Sequence, residues 1–428
     1  MPDVQIPTPR RGESQGADPQ PIPPPLSSMP PSLQEPSRPA KPNPVRIVLS
    51  LLLLAVAVAL VAAIASSMSQ ESAGSRDFIA YWAAGQQLAH GADPYDSAAI
   101  LRLERAAGLH GDRPNMMLNL PVAFFMALPL GLVSAKTGMI LWLILLVACL
   151  MASIRILWCL QGRPNDRLHL LGYVFPPVLA CIVAGQLGIF LLLGVVLFLY
   201  FHQSHPLLAG AALLLCAVKP HLFLPFAVVL LAWLLTRKAY RLLAGICAAI
   251  GASCALAFLF DAHAWSQYAR MMSQRAEVSQ DFVPTLSILF RLLVDRNAAW
   301  LQFVPAAAAC AWALWYFWTR RARWNWMDQG LLLLLVSEVC APHAWFTDEV
   351  VVLPAVLASL YRADKLDRSL LPFGLIAGIA LIEVMAHVTL ISVFYVWTAP
   401  AWLAWYLYAT RAKPTPPEEA GADAVISG

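Results

Sequence analysis

From residue 117 to residue 410 the chain is a nearly unbroken series of apolar stretches, and this constrains it more than any single motif does. The stretches run roughly 117–134, 137–160, 168–184, 187–201, 207–218, 222–235, 242–260, 298–319, 328–341, 349–361, 369–390 and 394–410, with an earlier one at 45–67. In hydrocarbon every backbone N–H and C=O must be satisfied internally, so only helices and closed barrels span a membrane. A barrel would show short alternating strands, whereas these runs are continuous and rich in Leu, Ala and Val, as spanning helices require. Charged residues make up 13% of the chain and hydrophobic ones 59%, against roughly 25% charged in a soluble protein. Such a chain has too little polar surface to be a soluble enzyme, a secreted disulfide scaffold or a disordered regulator. The expected fold class is all-α: a polytopic membrane helical bundle.

Residues 1–44 are different. Fourteen of the 33 prolines lie there, and a segment of that composition buries too little apolar surface to order itself. It reads as a Pro-rich disordered cytoplasmic tail, followed by a transmembrane domain over 45–411 and a disordered C-terminal tail over 412–428. The net charge of +4 is too weak to argue for nucleic acid. The eight cysteines sit in or at the ends of apolar stretches with no CxxC pair, which suits small apolar filler rather than metal or disulfide chemistry.

Basic residues set the expected orientation. Arg38, Lys41 and Arg46 precede the first run. Arg155, Arg163 and Arg167 flank one later turn, and Arg237, Lys238 and Arg241 another. Arg320, Arg321 and Arg323 form a third, Arg362, Lys365 and Arg368 a fourth, and Arg411 and Lys413 close the last run. The positive-inside rule makes these turns and both termini cytoplasmic, in the cell (inner) membrane. The loop 68–116, the turns at Gly185-Gln186, Lys219-Pro220-His221 and His343 to Glu349, and the loop 261–297 then fall on the extracytoplasmic side. Parity holds with about 12 crossings if 117–134, which contains Pro121 and Pro129, is re-entrant; otherwise a later short run does not cross.

The loop 68–116 is the longest polar stretch between apolar runs. Residues 77–88 read as a helix lying at the membrane surface, with Ser75 or Asp77 at its start and Tyr81 and Trp82 at headgroup level. Asp77 is either an N-cap or a positioned general base for a hydroxyl, and the two roles are compatible. Further along, Lys219 and His221 interrupt an apolar stretch, where charged groups are costly and commonly functional. They read either as a turn with a snorkelling lysine or as a phosphate site. His343, Trp345 and Asp348 read as an interfacial loop or as contacts to a sugar ring; their spacing is poor for zinc, and no metal is expected. Arg270, Arg275 and Arg291 suit a solvated loop face or an anionic headgroup, and Glu383 and His387 suit a pair within one helix.

The ordered motifs resemble a known family. Asp77-Phe78-Ile79-Ala80-Tyr81-Trp82-Ala83-Ala84-Gly85 followed by Gly91-Ala92-Asp93-Pro94-Tyr95 is similar to the first-loop signature of glycosyltransferase family 87. Asn119-Leu120-Pro121 with Leu128-Pro129-Leu130, Gly185-Gln186, Ala209-Gly210 with Lys219-Pro220, and Pro342-His343-Ala344-Trp345 with Asp348 and Leu353-Pro354 continue the likeness over roughly 75–355. The resemblance implies a GT-C-like integral membrane enzyme, with mannose the best-known sugar of the family. A polyprenyl-phosphate donor gives its sugar to a lipid or glycan acceptor on the extracytoplasmic face, with inversion. Asp77 matches the catalytic base. Tyr81, Gln186, Lys219, His221, His343, Trp345 and Asp348 are the candidate substrate-binding residues. The paired acidic metal motif of other GT-C enzymes is absent, since Arg76 precedes Asp77, so neither metal nor cofactor is implied. The expected partners are the lipid donor, the acceptor and membrane lipids. A transporter or flippase of a lipid-linked sugar is the rival reading; it predicts two similar halves, and no internal repeat is found.

Overall fold

The computed structural model describes residues 77–164, 168–278, 283, 285–364 and 395–411. Both tails, the apolar runs 45–67 and 369–390, Arg167, the side chain of Arg275 and the pair Glu383 and His387 lie outside the described residues. Among the described residues every regular element is helical.

Helix α1 (Phe78–Ala89) and helix α2 (Ser97–Ala106) follow Asp77, and helix α3 (Phe124–Leu130) is entered through a tight turn at Pro121–Ala123. The long helix α4 (Ala135–Leu160) leads to α5 (Pro176–Ala184) and α6 (Gly188–Phe201). Next come α7 (Pro206–Ala212), α8 (Leu214–Ala217), a 3₁₀ turn at Pro220–Phe223, α9 (Leu224–Thr236) and α10 (Tyr240–Phe260). The chain then forms α11 (Ala264–Val278), α12 (Leu286–Val294), α13 (Val304–Arg320), α14 (Leu331–Val339), a 3₁₀ segment Phe346–Val352, α15 (Leu353–Asp364) and α16 (Thr398–Arg411).

Local chemistry explains the starts. The Asp96 carboxylate accepts from the amides of Ala98 and Ala99 at the head of α2, Ser134 accepts from Thr137 at the head of α4, and Thr285 accepts from Ile288 at the head of α12. Each satisfies an orphan N–H of a first turn.

Three segments are long and apolar enough to cross a bilayer: Ala135–Leu160, Tyr240–Phe260 and Ala299–Arg323. They present many large apolar side chains outward, including Leu141, Leu145, Leu259, Trp315 and Trp318, as lipid-facing helices do. The stretches 207–218 and 222–235 do not form two independent crossings. They are two short helical pieces bent by 120° at Lys219 and Pro220, so that together they make at most a fourth. The stretch 117–134 yields only the short helix Pro121–Leu130, about half of what a hydrocarbon core of about 30 Å demands. The expected dozen crossings therefore exceeds what length and composition support among the described helices. The basic turns gather: Arg237 donates to the carbonyl of Arg321 at 2.7 Å, and Arg362 pairs with Asp328 at 2.6 Å.

The expectation of a surface-lying α1 is overturned. Phe78, Ile79, Ala80, Tyr81, Trp82, Ala83, Ala84 and Leu88 are all buried, and within the helix only Gln86, Gln87 and Ala89 are partly exposed, so its aromatic rings pack on protein rather than on headgroups. Its small residues are the cause. A Cβ on Gly85 would lie 2.1 Å from the carbonyl oxygen of Ala127, and one on Gly131 would lie 2.0 Å from that of Gly85. α1 thus meets α3 backbone to backbone, the small-residue crossing used inside membranes. Trp82 donates to the carbonyl of Val133 at 2.9 Å and Gln86 to that of Gly131 at 2.7 Å, which fixes the register. The Ala209-Gly210 motif is the same device elsewhere, since a Cβ on Gly210 would fall 2.1 Å from the carbonyl oxygen of Leu242 in α10.

Candidate active site

Asp77 occupies the N-cap position of α1, yet its side chain caps nothing. Its backbone is already helical (φ −63°, ψ −23°), which turns the carboxylate away from the first-turn amides. The carboxylate instead accepts from the side-chain amide of Gln186. Of the two readings open at the level of sequence, the cap is therefore excluded by geometry.

Gln186 is aimed by its turn. α5 ends in Gly185 with φ +71°, a left-handed conformation natural to glycine at a helix end, and a side chain there would meet Cβ of Phe78 at 2.9 Å. The indole of Trp142 in α4 donates to the Gly185 carbonyl at 2.8 Å, and the Cys181 thiol donates to the Gln186 carbonyl at 3.2 Å. The Gln186 amide is then used at both ends: its nitrogen faces Asp77, and its oxygen accepts from the Tyr81 hydroxyl at 3.3 Å. The Tyr81 ring stacks on Trp142 with centroids 5.5 Å apart.

Beside this group lies a buried ion pair. Lys219, at the bend between α8 and α9, places its ammonium 2.7 Å from Asp348. The second oxygen of Asp348 accepts the backbone N–H of Trp345 at 3.1 Å, and the Asp348 N–H returns to the Trp345 carbonyl at 2.8 Å. The rings of His221 and His343 approach edge to face at 6.1 Å, and those of His343 and Trp345 at 6.0 Å. The two groups form one electrostatic unit. Burial pushes the Asp77 carboxyl above its ordinary value, the Gln186 hydrogen bond and the nearby Lys219 charge pull it back, and Asp348 pushes it up. Asp77, Tyr81, Gln186, Lys219, His221, His343, Trp345 and Asp348 are thus brought together from four separate stretches of chain.

The other motifs support this unit from behind. The Tyr95 hydroxyl donates to the Asn119 carbonyl at 3.0 Å, and the Asn119 amide donates to the Val218 carbonyl at 3.1 Å, one residue before Lys219. The first-loop turn, the Asn-Leu-Pro segment and the Lys-Pro bend are one strut. Arg270 is exposed, with its charge near Asp93 of the first-loop turn, and Arg291 is occupied by the Arg296 carbonyl and Gln302. Among the described residues no three His, Cys, Asp or Glu side chains converge as metal ligands. Sequence reasoning missed Trp142, Asn119 and the buried acids Glu338 and Glu349. An acid deep inside the apolar run 328–341, ten residues past Asp328 at its start, was the available signal for Glu338.

Residues 118–342 match the sequence profile of glycosyltransferase family 87. The chain belongs to glycosyltransferase family 87. No curated protein and no solved structure matches it. Membership makes this chain a membrane glycosyltransferase. The matched span includes the Asn-Leu-Pro, Gly-Gln, Ala-Gly and Lys-Pro motifs, while Asp77 and the 343–354 segment lie outside it and join the family 87 motifs through the contacts just described.

Proposed function

We propose that this family 87 member moves a hexose, mannose by preference, from a polyprenyl-phosphate donor to a lipid or glycan acceptor on the extracytoplasmic face. The multi-pass GT-C-like arrangement in the cell (inner) membrane, with both termini cytoplasmic, is part of that reading, and the clustering of Arg237, Arg321, Arg362 and Asp328 in neighbouring turns supports it. The observation that carries it is the Asp77 carboxylate, released from capping, oriented by Gln186 and set near Lys219.

In this mechanism the acceptor hydroxyl oxygen attacks the anomeric carbon while Asp77 takes its proton. The bond from that carbon to the phosphate oxygen breaks, and the electron pair leaves with polyprenyl phosphate, which inverts the anomeric centre. An ammonium has three donors. Lys219 uses one on Asp348, and the others face the donor phosphate together with His221. His343 and Trp345 contact the sugar side, with the indole of Trp345 offering an apolar face to the ring, and the buried Asp348 serves that side by fixing the turn through the Trp345 N–H and Lys219. Tyr81 and Gln186 hold the base and meet the substrate.

The test is Asp77→Asn in purified full-length protein supplied with a radiolabelled polyprenyl-phosphate hexose. General-base loss costs about 10²–10⁴-fold in rate, so transfer should fall by that amount while the protein folds and retains the donor. Transfer near the wild-type rate would remove Asp77 from the role of base.

A further inference from the structure

Two turns that carry no candidate substrate residue hold a concentration of positive charge. Arg237, Lys238 and Arg241 lie in the turn from α9 to α10, and Arg320, Arg321 and Arg323 in the turn that follows α13. All six are exposed. The fold ties the two turns together, because Arg237 donates to the carbonyls of Arg321 at 2.7 Å and Ala322 at 3.3 Å. A carbonyl accepts without cancelling charge, so like charges are gathered and none is neutralised by these bonds. Among the described residues no carboxylate pairs with any of the six, and the neighbouring Asp328 is taken by Arg362 at 2.6 Å.

The ordinary causes of basic turns do not account for this. The positive-inside rule concerns how many cations stand on one side of a membrane, not their contact with one another. Cations suit helix C-termini, which fits Arg237 and Arg320, but Lys238 and Arg241 stand at the start of α10, where the helix dipole disfavours them. Lys238 also has φ +52°, a left-handed backbone that favours glycine. A lysine is held there at a conformational cost.

The patch lies where candidate spans end. Tyr240–Phe260 begins at one turn and Ala299–Arg323 finishes at the other. Leu235, Tyr240, Trp315 and Trp318 each present more than half of their surface outward there, and the Arg321 guanidinium lies 4.3 Å from the centre of the Trp318 ring. A guanidinium fork matches phosphate oxygens, while exposed indole and leucine match the glycerol and acyl carbon of a lipid. A free phosphate or a nucleotide uses only the first of these features. An anionic phospholipid uses both.

We propose that the linked turns after α9 and α13 bind the phosphodiester headgroup of an anionic glycerophospholipid, with its acyl chains along Trp315 and Trp318. Such a site lies outside the transferase chemistry and uses none of the residues assigned to base or substrate.

Native mass spectrometry of the full-length protein in detergent, titrated with dioleoyl-phosphatidylglycerol or dioleoyl-phosphatidylcholine, resolves the first bound lipid and its Kd. The chains are identical, so a difference reports the headgroup. Each cation near an anionic lipid contributes about fivefold in binding. Phosphatidylglycerol should therefore bind about tenfold or more tightly than phosphatidylcholine, and Arg241→Gln combined with Arg323→Gln should weaken its binding about 25-fold. Arg102→Gln, which alters an exposed cation of α2, should bind as wild type does. Lys238→Gly separates binding from folding, because glycine suits φ +52°. Its lipid-free melting temperature should equal or exceed that of wild type, while phosphatidylglycerol binding weakens about fivefold. Inorganic phosphate should not displace the lipid. Equal affinity for the two lipids, unchanged affinity in the Arg241 and Arg323 double variant or in Lys238→Gly, an equal loss in Arg102→Gln, or displacement by inorganic phosphate would overturn the proposal, the last pointing to an anion site that takes no lipid.

Discussion

The ammonium of Lys219 and the carboxylate of Asp348 meet at 2.7 Å although 129 residues separate them, and both side chains are almost wholly removed from solvent. Lys219 is therefore more than a free phosphate ligand at a bend, because it also neutralises a buried acid. Breaking such a pair on one side strands the other charge, at a cost of about 3–5 kcal/mol. Lys219→Met should lower the stability of the protein by that order in thermal or denaturant unfolding. Adding Asp348→Asn to the same chain should restore most of the loss. If Lys219 also holds the donor phosphate, the double variant should fold well and still show a raised donor KM. A double variant with an ordinary donor KM would confine Lys219 to the ion pair.

The base proposed for transfer should leave a mark on pH dependence. Burial raises the Asp77 carboxyl above its ordinary value, and hydrogen bonding from Gln186 favours the ionised form. The acid limb of kcat/KM should therefore lie above the usual carboxylate range. Gln186→Leu removes the donor that favours the carboxylate, so the limb should move to higher pH. A limb that moves to lower pH, or one that persists in Asp77→Asn, would contradict the assignment.

Two aspartates at helix starts behave differently. Asp96 caps α2 through two amides, at 2.9 and 3.2 Å, whereas Asp77 caps nothing. Asp96→Ala should cost about 0.5–2 kcal/mol of stability and leave transfer intact. Asp77→Asn should leave stability unchanged or slightly higher, since it removes a partly buried charge, and should abolish transfer. Parallel melting curves and transfer assays on the two variants separate a structural acid from a chemical one.

Glu104 gives a stability effect with a defined sign. It is fully buried in α2, one oxygen accepts the Asn115 N–H at 2.9 Å and the other has no partner. Burial raises its carboxyl from 4.5 to about 7. The folded state thus keeps a proton that the unfolded state has already lost. Its contribution to stability is full below pH 4.5, is lost as pH rises to about 7, and is flat beyond. Melting temperature measured across this range should decline less steeply in Glu104→Gln than in wild type. Identical slopes would show that Glu104 does not titrate in that window.

Hydrophobic run lengths and the scarcity of charge determined, from the sequence by itself, that the chain is an all-helical membrane protein. The ordered motifs carried the family resemblance, and all eight candidate site residues could be named before any contact was known. Those properties are local: an apolar run or a Gly-Gln turn announces itself in a few consecutive residues. What the tertiary structure decided depends on which surfaces meet. The stretch from Phe78 to Ala89 has the composition of an interfacial helix, and only the backbone contact of Gly85 with Ala127 shows that it is buried. That the Asp77 carboxylate meets the Gln186 side chain instead of capping its own helix depends on an amide 109 residues away. The partner of Lys219 and the burial of Glu338 likewise follow from helices packing across long sequence separations. No periodicity in the chain encodes such distances, because a one-dimensional pattern fixes the face of a helix and not the neighbour which that face will find.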